Sequence, residues 1–524
     1  MSSTRRGFLG MASALAATAG WLRFIDKANG QETNPAPRST MPAAAWAGGS
    51  HATILRKNLV GIQVKPFAWS DEGADEVLDI LQQKGAVNTV FAYTYDTDPN
   101  RLQANGKRKL PGHGKYGDGG KTRLGGAYFN YDPKYFTDTF LKDFRVPDSE
   151  NWDVINTIAP KAAARKIDFF AWDYNNAFPQ MMRYVPRYSE IMEVDLDGRR
   201  TTNPCFNHPA YRAFQTGKVE CYLSQYSEHI RGVMWGCESM GPLDNMIGGD
   251  FATLGVTCFC PYCLQMAKDR GLSADRARMG YRRLQTLFAQ DTARPDDGYF
   301  VEFWRVLLAY PEVLGWQDMW MDKYRRLRAE LYGTAKGIAP EKPFGFHMMQ
   351  NGTFSPFYSA AEDYSLTRHY SDFVKVATYN NAGGPRMARL ADRLCATIFR
   401  DTATERFLPV YYDLMGYHEG AREEMISRGL SPDYVTRSTK RILADVKGSV
   451  QVYPGIDIDV PTDNGEKHTT PEDVTQASKA AIGAGAQGVV LSRDYSEMRL
   501  ENLAAAGVAL TEAFRTSAST HLQQ

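Results

Sequence analysis

The chain has 524 residues, a net charge of +1 and 43% apolar side chains. That balance fits an ordinary soluble protein and implies no nucleic acid or other polyanionic partner. Beyond the N-terminus no segment is long and apolar enough to span a membrane.

The chain opens with Ser3-Thr4-Arg5-Arg6-Gly7-Phe8-Leu9. Paired arginines followed by Phe-Leu match a twin-arginine export signal, the address read by the twin-arginine translocase. An Ala-rich apolar run without acidic residues extends from Phe8 to about Trp21. It is shorter than the roughly 20 residues of a spanning helix. Charge, apolar run and small residues together have the layout of a cleavable signal. Cleavage is expected near Ala43 to Ala47, after a polar linker from Asn29 to Thr40. Residues 1–47 are therefore signal and linker. Residues 48–524 are the folded domain, bound for the periplasm or the exterior of a prokaryotic cell.

From Asn58 onward, short β-like runs alternate with helical stretches. Asn58–Phe67 precedes a helix over Ala74–Gln83 and a second strand over Val87–Tyr95. A Gly-rich loop and a helix near Trp152–Ala164 lead to Ile167–Asp173. The helix Pro209–Ile230 leads to Gly232–Glu238. A long insertion ends near Tyr332, before Pro343–Met348. Phe373–Tyr379, Val450–Ile458 and Gly488–Arg493 follow, with a closing helix from about Glu501. The apolar segment Phe407–Tyr417 is read as a helix rather than a ninth strand. Near-continuous apolar strands are expected where both faces are buried. Eight of them separated by helices predict an α/β fold, a (β/α)₈ TIM barrel with a long insertion after strand four. The rival, a doubly wound open sheet, lacks a GxGxxG turn after its first strand.

Barrel active sites lie at the C-terminal ends of the strands. The candidates there are Tyr95 on strand two, and Asp173 and Asn175 on strand three. Strand four offers Trp235 and Glu238, strand five His347, and strand six Tyr379. Strand seven offers Asp457 and Asp459, and strand eight Arg493 and Tyr495. Carboxylates, amides and aromatic rings converge there; the rings suit sugar-stacking surfaces, and aromatic cores explain them equally well.

Of the seven cysteines, three fall within Cys258-Phe259-Cys260-Pro261-Tyr262-Cys263. Thiolates two and three residues apart on a turn are able to face one metal ion. Zinc needs four such ligands, so a fourth must come from elsewhere in the chain. A disulfide framework and plain buried thiols are the alternatives; the odd total and the clustering disfavour the first. A four-ligand site leaves no open position and is structural.

Three elements then occur in order: Cys205-Phe206-Asn207-His208-Pro209-Ala210-Tyr211-Arg212, the strand ending in Glu238, and the CxCxxC cluster. This order, over roughly residues 200–270, resembles the family 42 glycoside hydrolases, (β/α)₈ β-galactosidases and their relatives. The resemblance implies Cys205 as the fourth zinc ligand and Glu238 as the acid/base. It departs in two places. Cys237 stands where that family has the Asn preceding its Glu. Asp457 and Asp459 stand where it has a nucleophilic Glu.

Glycoside hydrolysis uses two carboxyl groups flanking the glycosidic oxygen, about 5–5.5 Å apart in retaining enzymes and about 6.5–9.5 Å in inverting ones. Strands four and seven lie across the barrel mouth, so Glu238 and Asp457 are the expected pair. Trp235 is expected beside Glu238, raising its pKa by burial. Arg493 is expected to hold a carboxylate ionised or to bind an acidic sugar. Two rival functions share the fold: a sugar-binding barrel without catalysis, and a metal-dependent isomerase or lyase using His347.

Overall fold

The computed structural model describes residues 55–97, 108–117, 125–147, 152–175, 179–249 and 255–521. The export signal, its linker and the expected cleavage region lie outside the described residues.

Eight parallel strands form the central barrel. They are β1 (Leu59–Val64), β2 (Thr89–Asp96), β3 (Asp168–Tyr174), β4 (Gly232–Gly236), β5 (Phe344–Met348), β6 (Phe373–Ala377), β7 (Gln451–Asp457) and β8 (Gly488–Ser492). Each pairs with its sequence neighbour, and β1 also pairs with β8, which closes the ring. Each strand falls within or beside the apolar run that predicts it. Nearly every strand residue is buried, because side chains fill the interior on one face and helices cover the other.

The helices between strands follow local chemistry. Asp153 caps α1 (Val154–Ala164) by accepting from the Asn156 N–H. His208 caps α2 (Pro209–Gln225), with Pro209 at its first position. The segment between β4 and β5 contains α3 (Pro261–Asp269) and the 27-residue α4 (Glu312–Ile338). The expected helix near Phe407–Tyr417 is α6 (Thr404–Met415), following α5 (Asn380–Ala396). It stops at Gly416, whose φ of 68° a side chain would resist. Among the described residues no helix is long and apolar enough to cross a membrane.

The lower interior is aromatic. Phe91, Phe170 and Phe373, from β2, β3 and β6, meet with ring centroids 5.1 to 6.1 Å apart. Side chains alternate along each strand. On β3 this sends Trp172 and Tyr174 inward and Asp173 outward. On β2 the alternation breaks, because a register shift falls between Tyr93 and Tyr95. Tyr93 faces the barrel with Phe91, and the extra residue after it turns Tyr95 outside against Phe214 of α2.

Phe170→Ala should destabilise the fold by about 3–5 kcal/mol, since the Phe91 and Phe373 rings would face the void. Leu308→Ala, at a 68% exposed residue, should stay within about 0.5 kcal/mol. Denaturant titration of the two variants checks the contrast.

Candidate active site

A cavity of about 340 Å³ opens at the C-terminal end of the barrel. Its walls include Tyr93, Trp172 and Tyr174, Glu238 after β4, His347 on β5, Tyr379 after β6, Arg386 and Arg389 on α5, and Arg493 after β8. Glu238 is the one carboxylate among the described lining residues. Its Oε1 lies 3.0 Å from His347 Nε2, and its Oε2 accepts from the Tyr174 hydroxyl at 3.4 Å.

Burial lowers the His347 pKa to about 4, with the positive charge of Lys375 as the next cause. The imidazole is therefore neutral near pH 7, and it serves Glu238 as an N–H donor. Its Nδ1 is buried with no partner among the described residues. An unmatched acceptor there costs less than an unmatched N–H, which favours the proton on Nε2.

Gly236 makes room for this arrangement. A Cβ at Gly236 would stand 2.4 Å from the Trp172 ring and 2.8 Å from His347 Cβ. Gly455 does the same for Lys375, whose Cε would lie 2.8 Å from a Cβ there. Lys375 is fully buried and donates to the Tyr379 hydroxyl at 2.6 Å. Burial pulls its pKa down to about 7, a shift that Glu238 opposes and that Arg386 and Arg493 reinforce. Sequence reasoning missed Lys375. Its signal was parity, since it sits two residues from Phe373 on the inward face of β6.

Of the sequence candidates, Glu238, His347, Tyr379 and Arg493 share the cavity. The others are placed elsewhere. Asp457 does not line it: Oδ2 accepts from the Ala382 N–H, and Oδ1 from the Val460 N–H and the Thr469 hydroxyl. It holds the start of α5 to the loop after β7, and burial raises its pKa to about 6. The expected pairing with Glu238 across the mouth is thereby corrected. Asp459 is bound by Arg499 and Asn502. Tyr495 donates to Glu72 beneath the His113 ring.

Asp173 and Asn175 point to the helix layer, where the Lys218 ammonium donates to both, at 2.7 and 2.8 Å, above the Tyr95 ring. A metal shared by His347 and Asp173 therefore has no common site. Trp235 also faces outward and donates to Gln215 Oε1 at 2.9 Å. The aromatic wall near Glu238 is Trp172 and Tyr174 instead. Gln63, Gln350, Arg386 and Arg389 complete the lining. Both arginines escape a strand-end reading because they sit on a helix.

The four cysteines Cys205, Cys258, Cys260 and Cys263 gather in a second buried centre, with all sulfurs within 4.8 Å of one another. Cys205 Sγ lies 3.6 Å from Cys260 Sγ and 3.5 Å from Cys263 Sγ. Those spacings are far from a disulfide bond of about 2.05 Å. They approach the roughly 3.8 Å edge of a tetrahedron with 2.3 Å metal–sulfur bonds. Cys260 caps α3, so Cys263 sits in its first turn, where the helix dipole favours a thiolate. The Lys323 ammonium lies 4.0 Å from Cys263 Sγ, and the Val194 N–H donates to Cys258 Sγ. The donor set and its surroundings fit one thiophilic cation.

No family model matches the sequence, and neither does any curated protein. Solved structures do match. A β-galactosidase from the psychrophilic Marinomonas ef1 superposes with a TM-score of 0.50 at 12% identity, over 88% of this chain and 60% of that one. An α-L-fucosidase isoenzyme 2 from Paenibacillus thiaminolyticus gives 0.48 at 10% identity, over 88% of this chain and 50% of that one. The PgaB (BpsB) glycoside hydrolase domain from Bordetella bronchiseptica gives 0.46 at 12% identity, over 87% and 98%. The chain is a (β/α)₈ barrel. It spans about half to three fifths of the length of the first two structures, and the likeness at this identity is one of fold.

A buried lysine whose folded pKa is lowered binds fewer protons folded than unfolded. Stability is then lost as pH falls from its ordinary 10.5 toward about 7. Lys375→Met should raise stability near pH 7 by roughly 3 kcal/mol, after about 1 kcal/mol is subtracted for the lost Tyr379 hydrogen bond. The gain should fade toward pH 10.5, and unfolding measured across that range checks both size and slope.

Proposed function

We propose that the chain is an exported glycoside hydrolase that acts on an oligo- or polysaccharide at the barrel mouth, with Glu238 as its acid/base. The observation that carries this reading is the placement of Glu238. It lies two residues beyond β4 on the wall of a cavity large enough for a sugar ring, is oriented by His347 and Tyr174, and is flanked by aromatic faces. Stacking on rings and proton transfer from a positioned carboxyl are what cleavage of a glycosidic bond requires. The glycosidase names of the structural neighbours agree with this reading.

One observation favours a second reading. Glu238 faces no other carboxylate among the described lining residues. A barrel that binds its sugar without cleaving it would have this composition. Glu238→Gln decides between them: in a hydrolase it should lower turnover of a cleavable glycan by roughly 10²-fold or more while leaving binding within a few fold. Equal turnover by variant and parent, or none by either on a broad glycan panel, would remove the hydrolase reading.

The four-cysteine centre is proposed to hold structural zinc, with Cys205, Cys258, Cys260 and Cys263 as its ligands. Zinc bound there ties separate segments together and adds its binding energy to folding. Twin-arginine export, which moves folded proteins, would let that ion be loaded in the reducing cytoplasm. Cys260→Ser should lose the zinc and melt at lower temperature, and metal analysis beside calorimetry checks both. A parent protein without zinc would count against the assignment.

A further inference from the structure

The barrel-mouth cavity carries more positive charge than the reading above requires. Arg493 is neutralised by a bidentate pair with Glu497, both contacts 2.8 Å. Arg389 is paired with Glu466 at 2.6 Å. Arg386 is different. Its guanidinium lines the cavity half-buried, bonded to Gln350 Oε1 at 2.7 Å, with no ion pair among the described residues. Lys375 behind it is fully buried and, among the described residues, donates only to the Tyr379 hydroxyl.

Against these two cations stand Glu238 in the wall and, behind the lining, Asp457, whose three hydrogen-bond donors are neutral and whose carboxyl feels the charge of Arg386. Among the described residues no carboxylate bonds the Arg386 guanidinium, and a half-desolvated cation is costly unless an anion completes it.

We propose that this cavity selects a sugar unit bearing its own negative charge, a carboxylate or a sulfate, with Arg386 as the contact residue and Lys375 as the buried charge beneath it. The proposal rests on the reading of the cavity as a carbohydrate site and names the class of sugar it takes. A guanidinium presents paired N–H donors in a plane, which match the two oxygens of a carboxylate or two of a sulfate. Selection is local. The chain's net charge of +1 supplies no basic field along which a polyanion would lie. The anionic group belongs on the Arg386 side of the cavity, since Glu238 would repel it.

The test is calorimetric binding of short oligosaccharides ending in glucuronate, galacturonate or a sulfated galactose, each beside its neutral counterpart. At least one anionic probe should bind roughly tenfold or more tightly than its neutral counterpart, with affinity falling as salt rises. The uronate and sulfate arms tell which anion is read. Arg386→Gln should remove the preference and Arg386→Lys should restore part of it. Glu238→Gln should bind the anionic probe at least as tightly as the parent. No binding of any anionic probe, neutral probes binding equally well, or a preference unchanged in Arg386→Gln would overturn the proposal.

The same panel keeps the two readings apart. Cleavage of neutral glycans without charge preference leaves the hydrolase reading standing and sinks this one. Charge-selective binding without cleavage does the reverse.

Discussion

Lys375 is fully buried inside the barrel, and its nearest hydrogen-bond partner is a tyrosine hydroxyl. An ammonium in that position is expensive, because burial removes its hydration and the single phenol oxygen returns little of it. The surrounding groups are arranged around that cost. Glu238 opposes the loss of the charge, Arg386 and Arg493 reinforce it, and His347 is held neutral partly by the same field. The ionisation of Lys375 and of His347 thus depends on the charges around them, and the shape that brings the cavity groups together is set by glycines. Without Gly455 the lysine would not fit, and without Gly236 neither Trp172 nor His347 would reach its place.

The cysteine centre is distant in sequence from most of the cavity but is linked to it by direct contacts. Cys205 is followed by Phe206, which stacks on Tyr324 of α4 with ring centroids 4.7 Å apart. The Tyr324 hydroxyl donates to the Cys237 carbonyl at 2.5 Å, and Cys237 precedes Glu238. Lys323, the residue before Tyr324, reaches both Cys263 and Glu193. Whatever fixes the four sulfurs therefore fixes the backbone that aims the acid/base candidate. Cys237 itself turns away from the cavity, with its thiol against Ser239 and its pKa pushed up to about 12 by burial.

The fold was largely legible in the sequence because parallel barrel strands are buried on both faces and read as apolar runs. All eight runs became strands, with ends that differ from the expected ones by at most three residues. The site was legible only in part. Glu238, His347, Tyr379 and Arg493 were found by position, at or just beyond strand ends. Tyr95 was misplaced because a bulge in β2 reverses strand parity, and no residue type marks a bulge from sequence alone. Asp173 and Trp235 were misplaced by parity itself, which strand-end proximity ignores. Arg386 lies two turns into a helix, where a basic residue reads as ordinary surface.

Asp457 fails as a partner for Glu238 for a different reason, and it shows what carboxylates at this end of the barrel do. Parity puts it on the inner side of β7 with Tyr453 and Gly455, yet its oxygens are taken by the first turn of α5 and by the loop that follows. That loop and helix carry the lining. Ala382, held by Asp457, lies one turn before Arg386, so the carboxylate fixes the helix from which the guanidinium enters the cavity. Asp494 and Asp459 are likewise occupied, by the Lys65 N–H and by the Arg499 N–H and side chain. Strand-end aspartates with short side chains reach adjacent backbone more readily than the centre of the mouth. Glu238, one methylene longer and flanked by a donor on each oxygen, is the carboxylate that projects inward. The division of labour follows from side-chain length: aspartates build the rim, and the longer Glu238, Arg386 and Arg493 extend from it into the cavity.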